Sequence, residues 1–567
     1  MQLVPSVRPL SDFARTILNA KYAWTKPSGH KQEWEEVADR VVDSVCTGSH
    51  LPLPLPRQSV EGLRRLVRAR KFIPGGRFLY AAGRPYHQTN NCFLLRAHDS
   101  REGWAHLASR TINCLMSGGG IGVDYDPIRE EGAPVSGLGG HCTGPCSLMQ
   151  LVNEQGRHIM QGGSRRSAIW ARLSWRHPDV MKFLVLKDWP DWLRSRKELD
   201  FNTVAPMDMT NISVGLDDEF FEVMSGQREF VPSLFPDRHR PLTRADAERV
   251  YWAVVEHMVK TAEPGFSVDT GVNAGETLRN ACTELCSADD DDVCCLGSLV
   301  LSRFASLEEF EEGVELGTMF LVAGTLYSHL PYAEVAQTRD KNRRLGLGLM
   351  GFHEWLLRRG RRYGPDAELG RWLAAYATST QKARDICRRL SISPTVKSRA
   401  LAPNGTIAIV AETTSSLEPI FAVAFKRRYL KGKEWAAQYV VDAAAQRLID
   451  DGCDPDLIED AYTLAEDVER RVAFQAWTQG YVDHGISSTI NLPAWGSSVN
   501  NDSTVRPFGQ MLLKYLPSLR GITAYPDGSR GGQPLTRVSY REAVKHLGRE
   551  VLEHSNESAC PGGACAV

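Results

Sequence analysis

Apolar positions recur at helical spacing between residues 11 and 70, as in Trp34-Glu-Glu-Val37-Ala38-Asp-Arg-Val41-Val42 and Val60-Glu-Gly-Leu63-Arg-Arg-Leu66-Val67. This stretch reads as helical. Between the two runs, Leu51-Pro-Leu-Pro-Leu-Pro56 cannot be helix and forms a stiff linker. From Pro74 onward the pattern changes. Short apolar runs bounded by glycine, such as Cys92-Phe-Leu-Leu95, Ile121-Gly-Val123, Thr210-Asn-Ile-Ser-Val214 and Thr489-Ile-Asn-Leu492, alternate with amphipathic stretches. The spacing predicts helices over residues 367–390, 434–450 and 467–483. Strands alternating with helices predict an α/β core with parallel strands. After about Val551 the chain turns polar and rich in small residues, so a mobile tail is expected. Three regions follow: helical 1–73, an α/β body 74–550 and a tail 551–567.

The 567 residues can bury a large core without disulfide staples. A net charge of −1 gives no field to attract nucleic acid or anionic lipid, and basic patches such as Arg343-Arg344 are short. No apolar run approaches the roughly 20 residues of a membrane span. The N-terminus lacks the charged-then-apolar layout of a signal peptide. The 13 cysteines are odd in number and irregular in spacing, so a secreted disulfide framework is not expected and a reducing cytoplasm is.

The candidate chemistry is thiol-based. Asn280-Ala281-Cys282-Thr283-Glu284 sets a thiol between an amide and a carboxylate. Cys294-Cys295 follows shortly after, Asn90-Asn91-Cys92 lies far upstream, and Cys560 and Cys565 close the chain. A lone cysteine usually just packs, so the weight rests on the set. Ser117-Gly-Gly-Gly-Ile-Gly-Val123 is either a tight turn or backbone that approaches a sugar or phosphate. Pro403-Asn404-Gly405-Thr406-Ile407 is either a capped turn or a phosphate cradle. Gly346-Leu-Gly348-Leu-Met-Gly351 matches a dinucleotide fingerprint but follows Arg339-Asp-Lys-Asn-Arg-Arg344, no buried strand, so close helix packing is its expected use. His141, Cys142 and Cys146 lack a second pair at zinc spacing, and no metal site is expected. The histidine of Asp483-His484 is expected to be a cap or core partner rather than a general base.

Taken together, these segments resemble the catalytic subunit of ribonucleotide reductases, specifically the adenosylcobalamin-dependent class. The landmarks are Asn90-Asn-Cys92, Ser117-Gly-Gly-Gly-Ile-Gly122, Asn211-Ile-Ser-Val214, Asn280-x-Cys282-x-Glu284, Cys294-x-Leu-Gly-Ser298, residues 342–351, Ala402-Pro-Asn-Gly-Thr-Ile407, Gly528-Ser-Arg-Gly-Gly-Gln-Pro-Leu535 and the terminal cysteine pair. The resemblance implies a ten-stranded α/β barrel with the radical cysteine on a loop threaded through its middle. Two departures stand out. Ala281 and Thr283 replace the family's proline and glycine, and Asn404 stands where serine or threonine is common.

The resemblance implies roles. Cys282 becomes a thiyl radical and abstracts the 3′ hydrogen of a ribonucleotide, Glu284 takes the 3′-hydroxyl proton, and Asn280 hydrogen-bonds the sugar. Loss of water at C2′ consumes two electrons from Cys92 and Cys294. The pattern Cys-x-Leu-Gly-Ser selects Cys294 over Cys295. Cys560 and Cys565 on the tail re-reduce that pair and pass the oxidation to thioredoxin or a similar dithiol. Substrate contacts are implied at Asn91, Gly119, Gly120, Pro403, Asn404, Gly405 and Thr406. Asp99 and Arg129 stand where a deoxynucleoside triphosphate effector's base and phosphate are read. A homodimer built from helices is expected. The alternative is a catalytic subunit driven by a separate metal-containing radical subunit, a class that carries adjacent tyrosines near the chain end. Here Gly521-Ile-Thr-Ala-Tyr525-Pro526 has one. A regulatory nucleotide-binding homologue without turnover and an NAD oxidoreductase are the readings from other classes.

Overall fold

The structure, a computed structural model, describes residues 9–553 apart from Leu138, Ser164, Phe201, 432–433 and 530–534. Ten strands form the main sheet: β1 (Phe72–Pro74), β2 (Cys92–Arg96), β3 (Gly120–Asp124), β4 (Ile169–Ser174), β5 (Thr210–Asp217), β6 (Gly265–Asp269), β7 (Asp292–Val300), β8 (Leu345–Met350), β9 (Thr489–Leu492) and β10 (Gly521–Pro526). Strands β2 to β6 run parallel to one another in sequence order. Strands β7 and β8 form a second parallel pair, as do β9 and β10. The two sets meet antiparallel at two seams, β7 against β2 and β6 against β10. Single parallel bridges, Leu347 to Arg399 and Leu401 to Ile486, carry the ring from β8 through residues 399–401 towards β9. The sheet therefore closes into a barrel.

Most ring strands read as continuous apolar runs because both faces are covered. Helices pack outside, and the side chains of Leu94, Leu278, Leu285, Cys294, Leu296, Ala400 and Ala402 form a separate interior cluster. The N-terminal helices Asp12–Lys21, Trp34–Cys46 and Arg57–Arg68 share one core with the long helix Leu307–Tyr327, so the first region packs directly on the second.

Inside the ring stands a finger. Leu278–Arg279 pairs antiparallel with Cys286–Ser287, and residues 280–285 form its tip. It lies against β3 so closely that a Cβ on Gly122 would fall 1.9 Å from the Arg279 carbonyl oxygen. Only glycine permits that approach.

Four expectations are corrected. Residues 434–441 are not the start of a helix: Glu434–Val441 is a strand paired along its length with Ala424–Lys431, and the helix is confined to Ala443–Asp450. Residues 367–390 form two helices, Ala367–Ala377 and Ser379–Arg389, broken at Thr378. Gly346 and Gly348 serve strand packing rather than helix packing, since they lie within β8, where a Cβ on Gly346 would meet Leu296 at 2.2 Å. Glu550–Glu553 pairs with Glu434–Val441, so residues 551–553 belong to a sheet; the later tail, with Cys560 and Cys565, lies outside the described residues. No described helix is long and apolar enough to cross a membrane.

Candidate active site

The antiparallel seam between β2 and β7 places Cys92 directly opposite Cys294. Cross-strand partners have Cα atoms about 4.5–5.5 Å apart and side chains on one face. A disulfide needs roughly 4.4–6.8 Å, so these two cysteines are placed to bridge without backbone rearrangement. None of the described cysteines is in a disulfide. Adjacent Cys295 points away from the barrel interior into the outer core, where its sulfur accepts from Asn90 Nδ2 at 3.4 Å.

The finger tip brings Asn280, Cys282 and Glu284 to this pair. Cys282 is half-buried, whereas Asn280 and Glu284 are fully enclosed. Asn280 Oδ1 accepts from the Leu285 amide at 3.0 Å and tightens the turn. Its Nδ2 lies near enough to Glu284 and Cys92 to favour their ionised forms, yet makes no well-formed hydrogen bond to a described residue. Burial raises the Glu284 carboxyl to about 7, against the lowering influence of a backbone amide and Asn280. Burial, then the Glu284 charge, pushes the Cys92 thiol up to about 12, although Asn280 and the Ala281 amide pull the other way. Burial raises Cys294 well above the ordinary thiol value, with neighbouring Cys295, Glu284 and Cys92 adding to it. At neutral pH both members of the pair keep their protons.

The departures at 281 and 283 acquire a physical meaning here. Ala281 keeps an amide N–H that reaches the Cys92 sulfur, a donor that proline would lack. Thr283 has φ +67°, a left-handed conformation that suits glycine and strains a β-branched residue. Gly485 supports the tip from below: its amide donates to the Glu284 carbonyl at 2.7 Å, and a Cβ there would crowd the Thr283 and Glu284 carbonyls.

The Pro403–Thr406 stretch lies at the end of β7. Ser298 Oγ donates to Asn404 Oδ1 at 3.2 Å, and Asn404, at φ +55°, caps the helix Gly405–Ala411. Thr406 shares a 2.5 Å hydrogen bond with Tyr22, which the N-terminal helical region delivers. Asn91 sits beside Gly75. Gly119 and Gly120 are needed for packing, because a Cβ would strike the Phe93 ring at 2.2 Å in the first case and crowd Ala281 and Ala168 in the second. Glu284 Oε2, Asn280 Nδ2, Asn90 Oδ1, Asn91 Oδ1 and Asn404 Nδ2 are buried and without a hydrogen-bond partner among the described residues. Unpaired buried polar atoms are costly; Asn90 belongs to the outer core through its Cys295 contact, and the others suit a polar ligand at the barrel end.

Asp99 and Arg129 lie outside the barrel and pair with each other, Nε to Oδ2 at 2.6 Å, at the start of the helix Arg101–Ser117. Arg129 Nη1 also donates to the Pro134 carbonyl. The structure thus joins these two residues and sets them apart from the cysteines. Sequence reasoning named Gly122 and Ser298 only as parts of motifs, without their roles, and missed Gly485 and the Tyr22 contact. The motifs signalled Gly122 and Ser298, but the reason for each residue is three-dimensional. No described group of three or more histidine, cysteine or acidic side chains could hold a metal ion.

Comparison with known proteins fits this geometry. The family described as ribonucleotide reductase, barrel domain, matches residues 90–372 and 397–517. A vitamin B12-dependent ribonucleoside-diphosphate reductase of Thermoplasma acidophilum is 26% identical over 87% of this chain and 70% of its own length. One of the same name from Mycobacterium tuberculosis is 25% identical over 98% of this chain and 84% of its own. A protein of Mycobacterium phage D29, with the name of an adenosylcobalamin-dependent ribonucleoside-triphosphate reductase, is 23% identical over 98% of this chain and 99% of its own.

Proposed function

The chain belongs to the ribonucleotide reductase barrel family, and on that premise we propose that it reduces ribonucleotides to 2′-deoxyribonucleotides with adenosylcobalamin as its radical source. The observation that carries the reading is the constellation at the β2–β7 seam: two facing buried thiols, with a third thiol and a buried carboxyl on the finger above them.

Adenosylcobalamin fits the residues present. Cys282 stays half-buried rather than sealed, so the thiol can be reached from its barrel end. At the same end β10 brings the lone, half-buried Tyr525, where a relay from a separate radical subunit uses adjacent tyrosines. The barrel end at which Cys282 and Tyr525 stay half-buried would hold the cofactor. When bound, adenosylcobalamin supplies the radical equivalent that converts the Cys282 thiol to a thiyl. The reading driven by a separate radical subunit has less support, because full-length likeness runs to the B12-dependent relatives.

Cys282 then takes the 3′ hydrogen. Ionised Glu284 accepts the 3′-hydroxyl proton, and Asn280 steadies the sugar oxygens. Leaving of the 2′-hydroxyl as water draws two electrons and two protons from Cys92 and Cys294, which close to a disulfide. Cys282 then returns the hydrogen to C3′ and Glu284 its proton, so the balance is one ribonucleotide and two thiols to one deoxyribonucleotide, one water and one disulfide. Protonated Cys92 and Cys294 suit this step, which consumes protons. Asn404, Gly405 and Thr406 are assigned to the substrate phosphates and Asn91, Gly119 and Gly120 to the wall around it. The terminal pair Cys560 and Cys565 is assigned to re-reduction by a thioredoxin-type dithiol. Asp99 and Arg129 are assigned to a deoxynucleoside triphosphate effector, which must open their ion pair for Arg129 to reach a phosphate.

The test is deoxyribonucleotide formation from di- and triphosphate substrates with a dithiol, with and without adenosylcobalamin, in wild type and Cys282→Ala. Cofactor-dependent product in wild type and none above background in the variant is expected. Turnover by Cys282→Ala, or turnover indifferent to the cofactor, would refute the reading.

A further inference from the structure

The finger's base, where it enters the barrel away from the cysteines, collects more positive charge than it balances. The Glu276 carboxylate accepts from Lys397 Nζ at 2.5 Å, Arg520 Nη2 at 2.9 Å and Arg344 Nη1 at 3.3 Å. Arg279, fully buried on the finger itself, donates through Nη1 to the Glu276 carbonyl and through Nη2 to the Val268 carbonyl. The second carboxylate, Asp292, is already shared by Arg344 Nε, Ser287 and Asn342. Asp269, which shares Arg172 with Asp124 and Asp126, attracts Arg279 without a hydrogen bond to it. Four cations thus meet three carboxylates, of which only Glu276 and Asp292 accept hydrogen bonds from them.

The imidazole of His484 completes the cluster. It is fully buried and stands beside the Arg279–Cys286 pair of the hairpin, with Nδ1 accepting from the Cys286 amide at 3.2 Å. That bond fixes the tautomer: the ring proton sits on Nε2. Among the described residues Nε2 has no partner, nor do Arg279 Nε or Arg520 Nε and Nη1. All four orphaned atoms are donors. A donor set buried without any acceptor costs free energy at each atom. A water could accept from at most two of these donors, and its own protons would then need acceptors, which none of the four orphaned atoms is.

We propose that a small inorganic anion of halide size binds in this cluster, held by His484 Nε2–H, Arg279 and Arg520, and locks the base of the finger that carries Cys282 and Glu284. The site is distinct from the substrate end of the barrel and does not depend on the proposed reaction. Its surroundings agree with a missing negative charge. Burial, then the charges of Arg344, Lys397, Arg520 and Arg279, pushes His484 well below the ordinary imidazole value. Burial also lowers Lys397 despite its Glu276 partner, and Arg520 adds to the lowering.

Bromide is the probe. In crystals of the full chain grown in bromide, diffraction at the bromine edge is expected to give an anomalous peak within hydrogen-bond reach of His484 Nε2 and Arg520. In solution, chloride or bromide should raise the thermal midpoint by a few degrees over gluconate at equal ionic strength, and Arg520→Gln should lose most of that increment. Ordered water without anomalous signal at His484 Nε2, or bromide only at surface sites, would overturn the proposal. So would a midpoint that is the same in bromide and gluconate. The wild-type crystal decides the matter even if Arg520→Gln fails to fold.

Discussion

Glu284 holds its carboxyl at about 7 because burial penalises the charged form. A base must be ionised to accept a proton, so the turnover rate should climb as pH rises through about 7. Glu284→Gln should lose that limb and cost on the order of 10²–10⁴-fold in kcat, the usual worth of a positioned base. A pH–rate profile in the variant that keeps the wild-type rise would remove Glu284 from this role. The same shift has a stability sign. The folded value lies above the unfolded one near 4.5, so the folded state binds the extra proton. This group's contribution is fully present below about 4.5 and is lost as pH rises through about 7. Thr283 offers a second test. A left-handed conformation costs an L-residue roughly 1–2 kcal/mol, so Thr283→Gly should raise the melting temperature by about 1–2 °C. A lower melting temperature by calorimetry would mean that the threonine side chain contributes more than its backbone loses. The sequence shows the substitutions at 281 and 283 as departures from a pattern. Their meaning, an amide offered to Cys92 and a strained turn, needs coordinates.

At the scale of elements, the helix Arg101–Ser117 presents Ile112 and Met116 to solvent, and the neighbouring helix Gly144–His158 presents Leu151. These exposed apolar side chains lie on helices that pack together, with the Asp99–Arg129 pair at one end. A homodimer that covers this face is expected, and an isologous contact would bury the same residues from each chain. Leu151→Asp should shift the light-scattering mass from dimer to monomer and weaken effector response. An unchanged dimer would place the interface elsewhere. Element-level reading of the sequence succeeds where one period dominates: β2, β3, β5 and β9 stand out as short apolar runs, and the N-terminal helices by their stripes. It fails over 434–441, where alanines suggest helix but pairing along all of Ala424–Lys431 outweighs propensity. It fails again at Gly346 and Gly348, because a fully buried strand shows no alternation to read. The facing of Cys92 and Cys294 is a matter of strand register between segments some 200 residues apart. No local pattern encodes that register.

At the scale of the whole molecule, the closed ring both protects the chemistry and isolates it. Cys92 and Cys294 are buried, so a disulfide formed between them lies beyond the surface of any folded reductase. Their high thiol values add a second barrier, since thiol–disulfide exchange requires a thiolate to attack. The attacking thiolate must therefore come from outside the pair, on something slender. The last described strand ends at Glu553, and Cys560 and Cys565 follow 7 and 12 residues later. At about 3.5 Å per extended residue these thiols lie within roughly 25 and 40 Å of Glu553 along the chain. Tethering makes delivery an intramolecular event, favoured by effective concentration rather than by a stable docking site. The double variant Cys560→Ser, Cys565→Ser should still make about one deoxyribonucleotide per prereduced chain, because the internal pair is intact. With thioredoxin as reductant it should then stop. With a small dithiol, which can enter the barrel by itself, it should keep much of the wild-type rate. Parallel burst and steady-state assays with the two reductants distinguish these outcomes. Equal loss with both, or undiminished cycling with thioredoxin, would show that electrons reach Cys92 and Cys294 by another route.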